Sequence, residues 1–378
     1  MSIDSTLKKE GVNVIGELNT LDINKIASNI ADKICSAFPE HNLNQSDLFI
    51  AIARLNMYVA EMPDSSAGAK YYYKNNSIYF NKDMDLDTLN TLSLHECIHF
   101  IQELKDKHGK LLRMGLYDLS TRNKSGMALN EAAVQLMASI ANRCEKDTVK
   151  YYNMEFTTES PDFYPIETTL IKQMIYFTGS YPLFHSTLCS NDIFKNTFIS
   201  KSSVNTYNKI EYNFDLLLHY QEELGLTSYK LSTISEDKKL SQVKKLHEKV
   251  NVLKETILNK TLEIQKIILT ECFNKEFSLI RNNDDINLFK TRLYNFSTAL
   301  ISYENDTTYS DYYAEMMDKL AEKKAFIEKY GELTYFEASS TTDLSTLESD
   351  SYGFSFFKTL FSKLSLLLEE RLRSKNLK

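Results

Sequence analysis

Glycine and proline are both scarce in this sequence of 378 residues, with 10 and 5 copies. Average usage would give roughly 26 glycines and 19 prolines. Because these two residues form turns and interrupt helices, their scarcity disfavours a many-stranded sandwich and favours long helices. Tryptophan is absent, so aromatic packing depends on 23 tyrosines and 21 phenylalanines.

Cysteine is also infrequent, and its copies are far apart, odd in number and without a CxxC pair. The five cysteines are Cys35, Cys97, Cys144, Cys189 and Cys272. This pattern predicts neither a disulfide framework nor a cysteine-ligated zinc site. It is typical of buried, reduced thiols in a cytoplasmic protein.

Long apolar runs and dense basic patches are missing as well. No run of about 18 apolar residues occurs, and residues 1–20 lack the apolar core of a signal peptide. The net charge is −7 and no block of lysine and arginine stands out, which disfavours a nucleic-acid partner. We therefore predict a cytoplasmic protein with no membrane span and no nucleic-acid partner.

Helical periodicity dominates the elements that the sequence does contain. The ranges predicted to be helical are 21–38, 46–62, about 86–107, 127–144, 166–177 and about 237–280. The sequence AKYYYKNNSIYFN, residues 69–81, has β-prone aromatic residues on both sides of Asn75 and Asn76, which predicts a β-hairpin. The expected fold is mostly α with a small β-hairpin or sheet.

The character of the sequence changes near residue 190. Beyond this point the chain is a series of lysine- and glutamate-rich helical patterns, and the longest has the spacing of a helix in a bundle. The last pattern, residues 354–374, is strongly apolar on one side and is expected to dock on the body of the protein. We therefore predict two domains, 1–190 and 191–378, the second ending in this amphipathic helix.

The sequence LSLHECIHFIQ, residues 92–102, places His95 and His99 four residues apart on a predicted helix, with Glu96 directly after the first. Residues at i and i+4 share a helix face, so two such imidazoles can converge on one zinc ion at about 2.0–2.1 Å each. The Glu96 carboxylate can reach a water molecule bound to that ion. This HExxH unit therefore predicts two metal ligands and a general base.

Such a site needs a third ligand. Gln102 stands where metzincin-type sites have a glycine, and no histidine follows at the right distance, so that class is disfavoured. Glu103 would lie one turn, about 5.4 Å, beyond His99, which is too far to reach the metal. Glu131 is the best candidate because it is the only acid in the apolar stretch GMALNEAAVQLMAS, where a bare buried carboxylate would be costly.

The motif HECIH followed by LNEAA resembles the thermolysin-like, gluzincin type of zinc metallopeptidase, over about residues 66–140. The resemblance implies a zincin-like core in which His95, His99 and Glu131 bind Zn²⁺ and Glu96 is the general base. The family often has an aspartate four residues after the third ligand, and here that position is Gln135. The spacing between the two motifs is also longer than in thermolysin. The strand SIYFN is expected to supply the edge along which such enzymes bind substrate.

A gluzincin also needs a histidine or tyrosine that stabilises the oxyanion of the tetrahedral intermediate. His185 follows the third ligand in the order that the family suggests, and Tyr181 is its neighbour. We assign the role to His185 or Tyr181, with Tyr176 and Tyr117 as further options and an ordinary packed aromatic as the alternative for each. The histidines predicted to lie at the surface are His41, His108, His219 and His247.

The function that these observations predict is a zinc-dependent metallopeptidase acting on a peptide or protein substrate. Two alternatives remain open. A non-catalytic zinc-binding protein would use the helical half of the chain, from about residue 190, as a scaffold for partners. A zinc hydrolase of a non-peptide amide would use the same water chemistry, so motif spacing does not separate it from a peptidase.

Overall fold

The computed structural model describes residues 7–9, 11–62, 68–82, 86–120, 125–233, 240–334 and 338. Within these residues the chain is mostly helical with three small sheets, which confirms the predicted combination of many helices and little β structure. None of the helices in this part of the chain has both the length and the apolar character needed to cross a membrane. The predicted C-terminal helix over 354–374 lies outside the described residues.

The elements follow one another along the chain as helices with short strands between them. The helices are α1 (Thr20–Ala37), α2 (Gln45–Ile52), α3 (Leu86–Ile101), α4 (Met127–Ala141), α5 (Pro165–Thr178), α6 (Ser180–Cys189), α7 (Ile193–Lys201), α8 (Val204–Ser232), α9 (Leu240–Phe277), α10 (Asn283–Phe296) and α11 (Thr308–Tyr330). The strands are β1 (Asn13–Glu17), β2 (Asn56–Glu61), β3 (Ala69–Tyr72), β4 (Ser77–Asn81), β5 (Glu103–Lys105), β6 (Leu111–Met114), β7 (Tyr117–Asp118), β8 (Asp147–Tyr151), β9 (Met154–Thr158) and β10 (Ser302–Tyr303).

The first sheet has the strand order β1-β2-β4-β3. β2 and β4 are parallel, while β1 pairs with β2 and β3 pairs with β4 in antiparallel fashion. The predicted hairpin is confirmed as β3–β4, and Asn76 in its loop has a left-handed φ of 50°, a conformation that asparagine tolerates. α3 packs against β3, so the sheet presents the outer strand of the hairpin to the helix that carries HECIH.

The strand SIYFN, which is β4, is not the edge strand that the sequence predicted. It lies between β2 and β3 and pairs with both, and Ser77, Ile78, Tyr79 and Phe80 are buried. A strand that is paired on both sides has no free ladder groups for a peptide. The edge beside α3 is β3, because β2 occupies the far side of β4.

The helix predicted over residues 46–62 is wrong beyond Ile52. The Asn44 side chain caps the first turn of α2, and the helix then ends before β2 begins. Parallel pairing of β2 with β4 buries Met57 and Ala60. Burial on a pleated surface therefore outweighs a local helical periodicity.

The helix that carries HECIH ends at Ile101 rather than near residue 107. Glu103 begins β5, which joins β6 and β7 in a short antiparallel meander. Glu103 therefore does not share the helix face with His99. Instead, its carboxylate accepts a hydrogen bond from the Tyr71 hydroxyl at 3.0 Å, which ties β5 to β3.

The start of α4, the helix that carries Glu131, is fixed by a residue far along the chain. The Asp215 carboxylate on α8 accepts hydrogen bonds from the N–H groups of Gly126 at 3.0 Å and Ala128 at 2.9 Å. A carboxylate at the positive end of a helix is stabilising. Gly126 has a φ of 86°, and a Cβ there would lie 2.8 Å from the carbonyl oxygen of Leu116, so the position requires glycine.

The chain divides into two compact units. The first comprises Met1–Phe273 and Asn295–Tyr309, and the second comprises Asn274–Tyr294 and Ser310–Lys378. The predicted domain boundary near residue 190 falls inside the first unit, between α6 and α7. The division into domains 1–190 and 191–378 stays a prediction.

The second unit is held in part by a buried lysine. The Lys323 amine donates to the carbonyl oxygen of Phe277 at 2.9 Å and lies 4.6 Å from the centre of the Phe277 ring. Burial lowers the pKa of Lys323 to about 8, although the nearby Asp285 partly offsets this. A cation at the last carbonyl groups of α9 complements the negative end of that helix.

We expect Asp215→Ala to lower the free energy of unfolding by about 1–2 kcal/mol, because α4 loses the cap on its first N–H groups. Urea unfolding followed by circular dichroism measures this change. Glu222→Ala is the matched control, since Glu222 is an exposed acid on the same helix, and it should change stability by less than about 0.5 kcal/mol. Equal effects of the two variants would refute the cap.

Candidate metal centre

Three side chains from two packed helices meet at one point. Nε2 of His95 and Nε2 of His99, both on α3, are 3.0 Å apart. Oε2 of Glu131 on α4 lies 3.3 Å from the first of these atoms and 3.4 Å from the second. Among the described residues this is the one group of three or more histidine, cysteine or acidic side chains close enough to hold a metal ion.

Hydrogen bonds on the outer ring nitrogens determine which atoms face the centre. Nδ1 of His95 is 2.9 Å from Oε1 of Gln135, and Nδ1 of His99 is 3.2 Å from Oε1 of Gln102. An amide oxygen only accepts hydrogen bonds, so each Nδ1 carries a proton and donates it. Both Nε2 atoms are thereby directed at the Glu131 carboxylate.

The distances between the three donor atoms fit a tetrahedral ion. Ligand atoms about 2.0–2.1 Å from a tetrahedral zinc ion are about 3.3–3.4 Å from one another. The three distances in the protein are 3.0, 3.3 and 3.4 Å. Two imidazole lone pairs at this distance repel unless a proton or a cation lies between them. The group could therefore hold a metal ion.

The charges at the centre compensate one another when no ion is bound. Burial lowers the pKa of His99, but the Glu131 carboxylate has the larger combined effect and raises the pKa to about 9. Burial likewise raises the pKa of Glu131, but His99 and His95 outweigh it and hold that pKa well below its usual range. A protonated His99 thus neutralises the buried carboxylate, a role that a divalent cation can take over.

A second layer of hydrogen bonds holds Gln102 in place. Nε2 of Gln102 donates to Oδ1 of Asn130 at 3.0 Å, and Nδ2 of Asn130 donates to Oε1 of Gln102 at 3.2 Å. The N–H of Leu116 also donates to Oδ1 of Asn130, at 3.0 Å. A Cβ on Gly115 would overlap both amide groups. The close packing of the β6–β7 turn against Gln102 and Asn130 therefore requires glycine at this position. The orientation of His99 therefore depends on the β6–β7 turn.

Gln135, four residues after Glu131, orients His95. Its Nε2 atom donates to Oγ of Ser160 at 2.9 Å and to Oγ of Ser139 at 3.3 Å, which leaves its oxygen for His95. Both imidazoles are therefore oriented by neutral amides. A carboxylate in either place would raise the basicity of the ligand more strongly.

Glu96 lies between the centre and the sheet. Its Oε2 atom accepts a hydrogen bond from the N–H of Tyr71 on β3 at 2.7 Å, and the residue is only 7% exposed. Its negative charge also contributes to the raised pKa of His99. The glutamate of the HExxH unit thus lies beside the two histidines and is bonded to the edge strand β3.

Tyr164 is the aromatic residue that contacts the centre, and sequence reasoning missed it. Its ring stacks on that of His95, with centroids 6.1 Å apart and planes 16° apart. The negative charge of Glu131, then burial, then Glu96 and Glu167 raise the pKa of Tyr164, whose hydroxyl lies near the Glu131 carboxylate. The only sequence signal was the segment SPDFYP, which indicates a break between helices and nothing about the site.

His185 and Tyr181 lie in a different cluster. Their rings stack on each other at 5.4 Å and on the ring of His41 at 5.6 and 4.8 Å. Within the described chain, no ring contact or hydrogen bond joins either of them to His95, His99 or Glu131. The oxyanion role that the sequence assigned to His185 or Tyr181 stays a prediction, and no contact supports it.

The surface position predicted for His41 is wrong. Its side chain is only 2% exposed, because the ring is enclosed by Tyr181, His185 and Phe38. The other three histidines predicted at the surface, His108, His219 and His247, are exposed.

Glu167, in the first turn of α5, is a fully buried carboxyl group near the centre. Neither of its oxygens has a well-formed hydrogen bond within the described residues. Burial raises the pKa of Glu167 to about 7, and the nearby backbone and Gln221 offset this only in part. The group is therefore held in a site that disfavours its ionised form.

Comparison of the chain with protein-family models, with curated proteins and with solved structures gave no match. The functional interpretation therefore depends on the geometry of the site itself.

We expect the purified protein to bind one zinc ion per chain, and Glu131→Ala or His95→Ala to weaken that binding by more than about 100-fold, since each removes a ligand. Titration against a chromogenic chelator, with metal content measured by mass spectrometry, tests this. The matched control is His108→Ala, which removes an exposed histidine. Unchanged zinc affinity in the Glu131 variant would exclude this carboxylate as a ligand.

We expect the stability of the protein to fall as pH rises from about 5 to 8 because of Glu167. Between its ordinary pKa of 4.5 and its raised value of about 7, the folded state keeps a proton that the unfolded state releases. At about 1.4 kcal/mol per pH unit, the loss attributable to this group is about 3 kcal/mol. Glu167→Gln should remove it, so the variant gains stability over the wild type at pH 8 but not at pH 5.

Urea unfolding of both proteins at pH 5, 6, 7 and 8 measures this difference. Parallel stability curves for the wild type and Glu167→Gln would show that the carboxyl group titrates normally.

Proposed function

We propose that the chain is a zinc-dependent peptidase of the gluzincin type, in which His95, His99 and Glu131 hold the ion. The observation that carries the proposal is the convergence of HECIH and LNEAA on three donor atoms 3.0–3.4 Å apart. Two imidazoles and one carboxylate are the donor set of catalytic zinc sites, which leave a fourth position open. A small sheet whose outer strand lies against α3 supports a zincin-like core.

Glu96 is the general base in this proposal. A zinc ion held by the three ligands would lower the pKa of a bound water molecule and polarise a carbonyl group. Glu96 would accept a proton from the attacking water and deliver it to the nitrogen of the leaving amine. Its Oε2 atom is engaged by the N–H of Tyr71, whereas Oε1 has no hydrogen-bond partner among the described residues. Oε1 is therefore the oxygen that transfers the proton.

Tyr164 replaces His185 and Tyr181 as the donor to the oxyanion. Its ring stacks on that of His95, and its hydroxyl lies near Glu131, at the centre. The raised pKa of Tyr164 keeps this hydroxyl protonated at neutral pH, so it can donate to a developing negative charge. A tyrosine in this role agrees with the type of residue that the resemblance implies.

The outer edge of β3 favours a peptide over a non-peptide amide as substrate. β3 is the last strand in the order β1-β2-β4-β3, so no strand of the described sheet pairs with its outer side, where the Tyr71 N–H already donates to Glu96. An extended peptide can add to such an edge through its main chain. A small amide without a repeating main chain would gain little from the edge.

A non-catalytic metal-binding protein is the second candidate. The observation that favours it is the use of neutral amides, Gln102 and Gln135, to orient both histidines. Such partners raise ligand basicity less than carboxylates do. In this case the protein would bind zinc but cleave no peptide, with or without Glu96.

We expect the zinc-loaded protein to cleave members of a peptide library, and Glu96→Gln to lower kcat by about 10²–10⁴-fold while zinc content is unchanged. Cleavage sites and rates are measured by mass spectrometry. Glu145→Gln, a change to an exposed acid, is the matched control and should leave the rate unchanged. Full activity in Glu96→Gln would contradict the mechanism.

The same assay separates the two assignments of the oxyanion donor. Tyr164→Phe removes only the hydroxyl and should lower kcat by about 10²–10³-fold. A larger loss in Tyr181→Phe or His185→Ala than in Tyr164→Phe would restore the original assignment. A wild-type protein that holds stoichiometric zinc but cleaves nothing would favour the non-catalytic alternative.

A further inference from the structure

We infer that the backbone N–H of Tyr71 is the positioning group for Glu96, fixing one carboxylate oxygen so that the other faces the reaction. The inference rests on the proposed function, because it assigns a role within that reaction. Its starting point is the 2.7 Å hydrogen bond from the N–H of Tyr71 to Oε2 of Glu96. A bond between an N–H and an ionised, buried carboxylate is stronger than one between neutral groups.

The direction of this N–H follows from the position of β3 in the sheet. Tyr71 lies opposite Ile78 in the antiparallel pair with β4, and β3 has no further strand on its other side among the described residues. Since the N–H reaches Glu96, it points away from β4 and toward α3. The edge strand therefore contributes a main-chain donor to the helix that carries HECIH.

Tyr71 is also held to the end of α3 through its side chain. The ring packs edge-on against Phe100 at 6.0 Å, and the hydroxyl donates to Oε1 of Glu103 at 3.0 Å. Lys105 in turn pairs with Oε2 of Glu103 at 2.6 Å. These contacts hold β3 against the end of α3 and the start of β5. They support the position of the Tyr71 amide beside Glu96.

The two carboxylate oxygens of Glu96 therefore have different roles. A general base must hold its accepting oxygen within hydrogen-bond reach of the proton that it removes. A carboxylate that is free to rotate would spend much of its time in unproductive orientations. The N–H of Tyr71 engages Oε2 and leaves Oε1 for proton transfer. Misplacement of a reacting group by about 1 Å costs about 100-fold in rate.

The test replaces the Tyr71 peptide N–H with an ester oxygen by incorporating the hydroxy-acid analogue of tyrosine. The side chain is unchanged, the donor is lost, and the preceding carbonyl becomes a weaker acceptor, a change that the control below shares. We expect kcat for the peptide cleaved best by the wild type to fall about 10- to 100-fold, with KM within about threefold and zinc content unchanged. The matched control is the same ester at Tyr73, in the loop of the hairpin, which should retain wild-type kinetics. Wild-type kcat in the Tyr71 ester would overturn the inference.

A spectroscopic readout tests the contact without any activity. In protein labelled with ¹⁵N-tyrosine, the Tyr71 amide signal is identified by its loss in Tyr71→Phe. Its proton should resonate downfield and move upfield in Glu96→Ala, in zinc-free as well as zinc-loaded protein. An identical shift in the two proteins would overturn the inference even if the enzyme were active. A shifted signal with no cleavage by the wild type would refute the proposed function, and with it the catalytic role of the contact.

A pair of ordinary substitutions covers the case in which the ester protein does not fold. Proline has no N–H and is tolerated on an edge strand where that group does not serve the ladder. Tyr71→Ala is its matched control, because it loses the same side chain and keeps the donor. Tyr71→Pro should have a kcat at least about tenfold below that of Tyr71→Ala, and equal values would contradict the inference.

Discussion

The buried carboxylate of Glu131 is the constraint on which the rest of the site depends. α4 is apolar and buried along most of its length, so a negative charge on it requires a positive partner. The packing of α3 on α4 supplies that partner through His95 and His99, and a proton or a metal ion completes the neutralisation. The position of the HECIH motif opposite LNEAA is therefore an electrostatic requirement as well as a packing one.

The supports of this centre come from distant parts of the chain. Gln102 and Asn130 bond to each other beside Gly115, where only glycine fits. Gln135 donates a hydrogen bond to Ser160, and the carboxylate of Asp215 accepts hydrogen bonds from the N–H groups at the start of α4. The last of these is on α8, within the helices that follow residue 190. α8 is therefore part of the structure that positions Glu131.

The predictable part of the site was the part encoded by local spacing. The four-residue interval of His95 and His99 and the lone acid in an apolar helix were sufficient to predict the three side chains that meet in the structure. Tyr164 and the true edge strand were not predictable, because both depend on which segments pair in three dimensions. The helix predicted over 46–62 failed for the same reason, since the pairing of β2 with β4 decided its second half.

Neutral amides as the partners of both histidines have two opposite effects on a bound ion. An imidazole hydrogen-bonded to an amide donates less electron density than one bonded to a carboxylate, so affinity for the ion is lower. For the same reason a bound ion would retain more of its positive charge and be a stronger Lewis acid toward water and carbonyl groups. Glu131 would be the one anionic residue of the group that could hold the ion, and Glu96 is not in that group. The arrangement would thus exchange some strength of metal binding for electrophilicity of the bound ion.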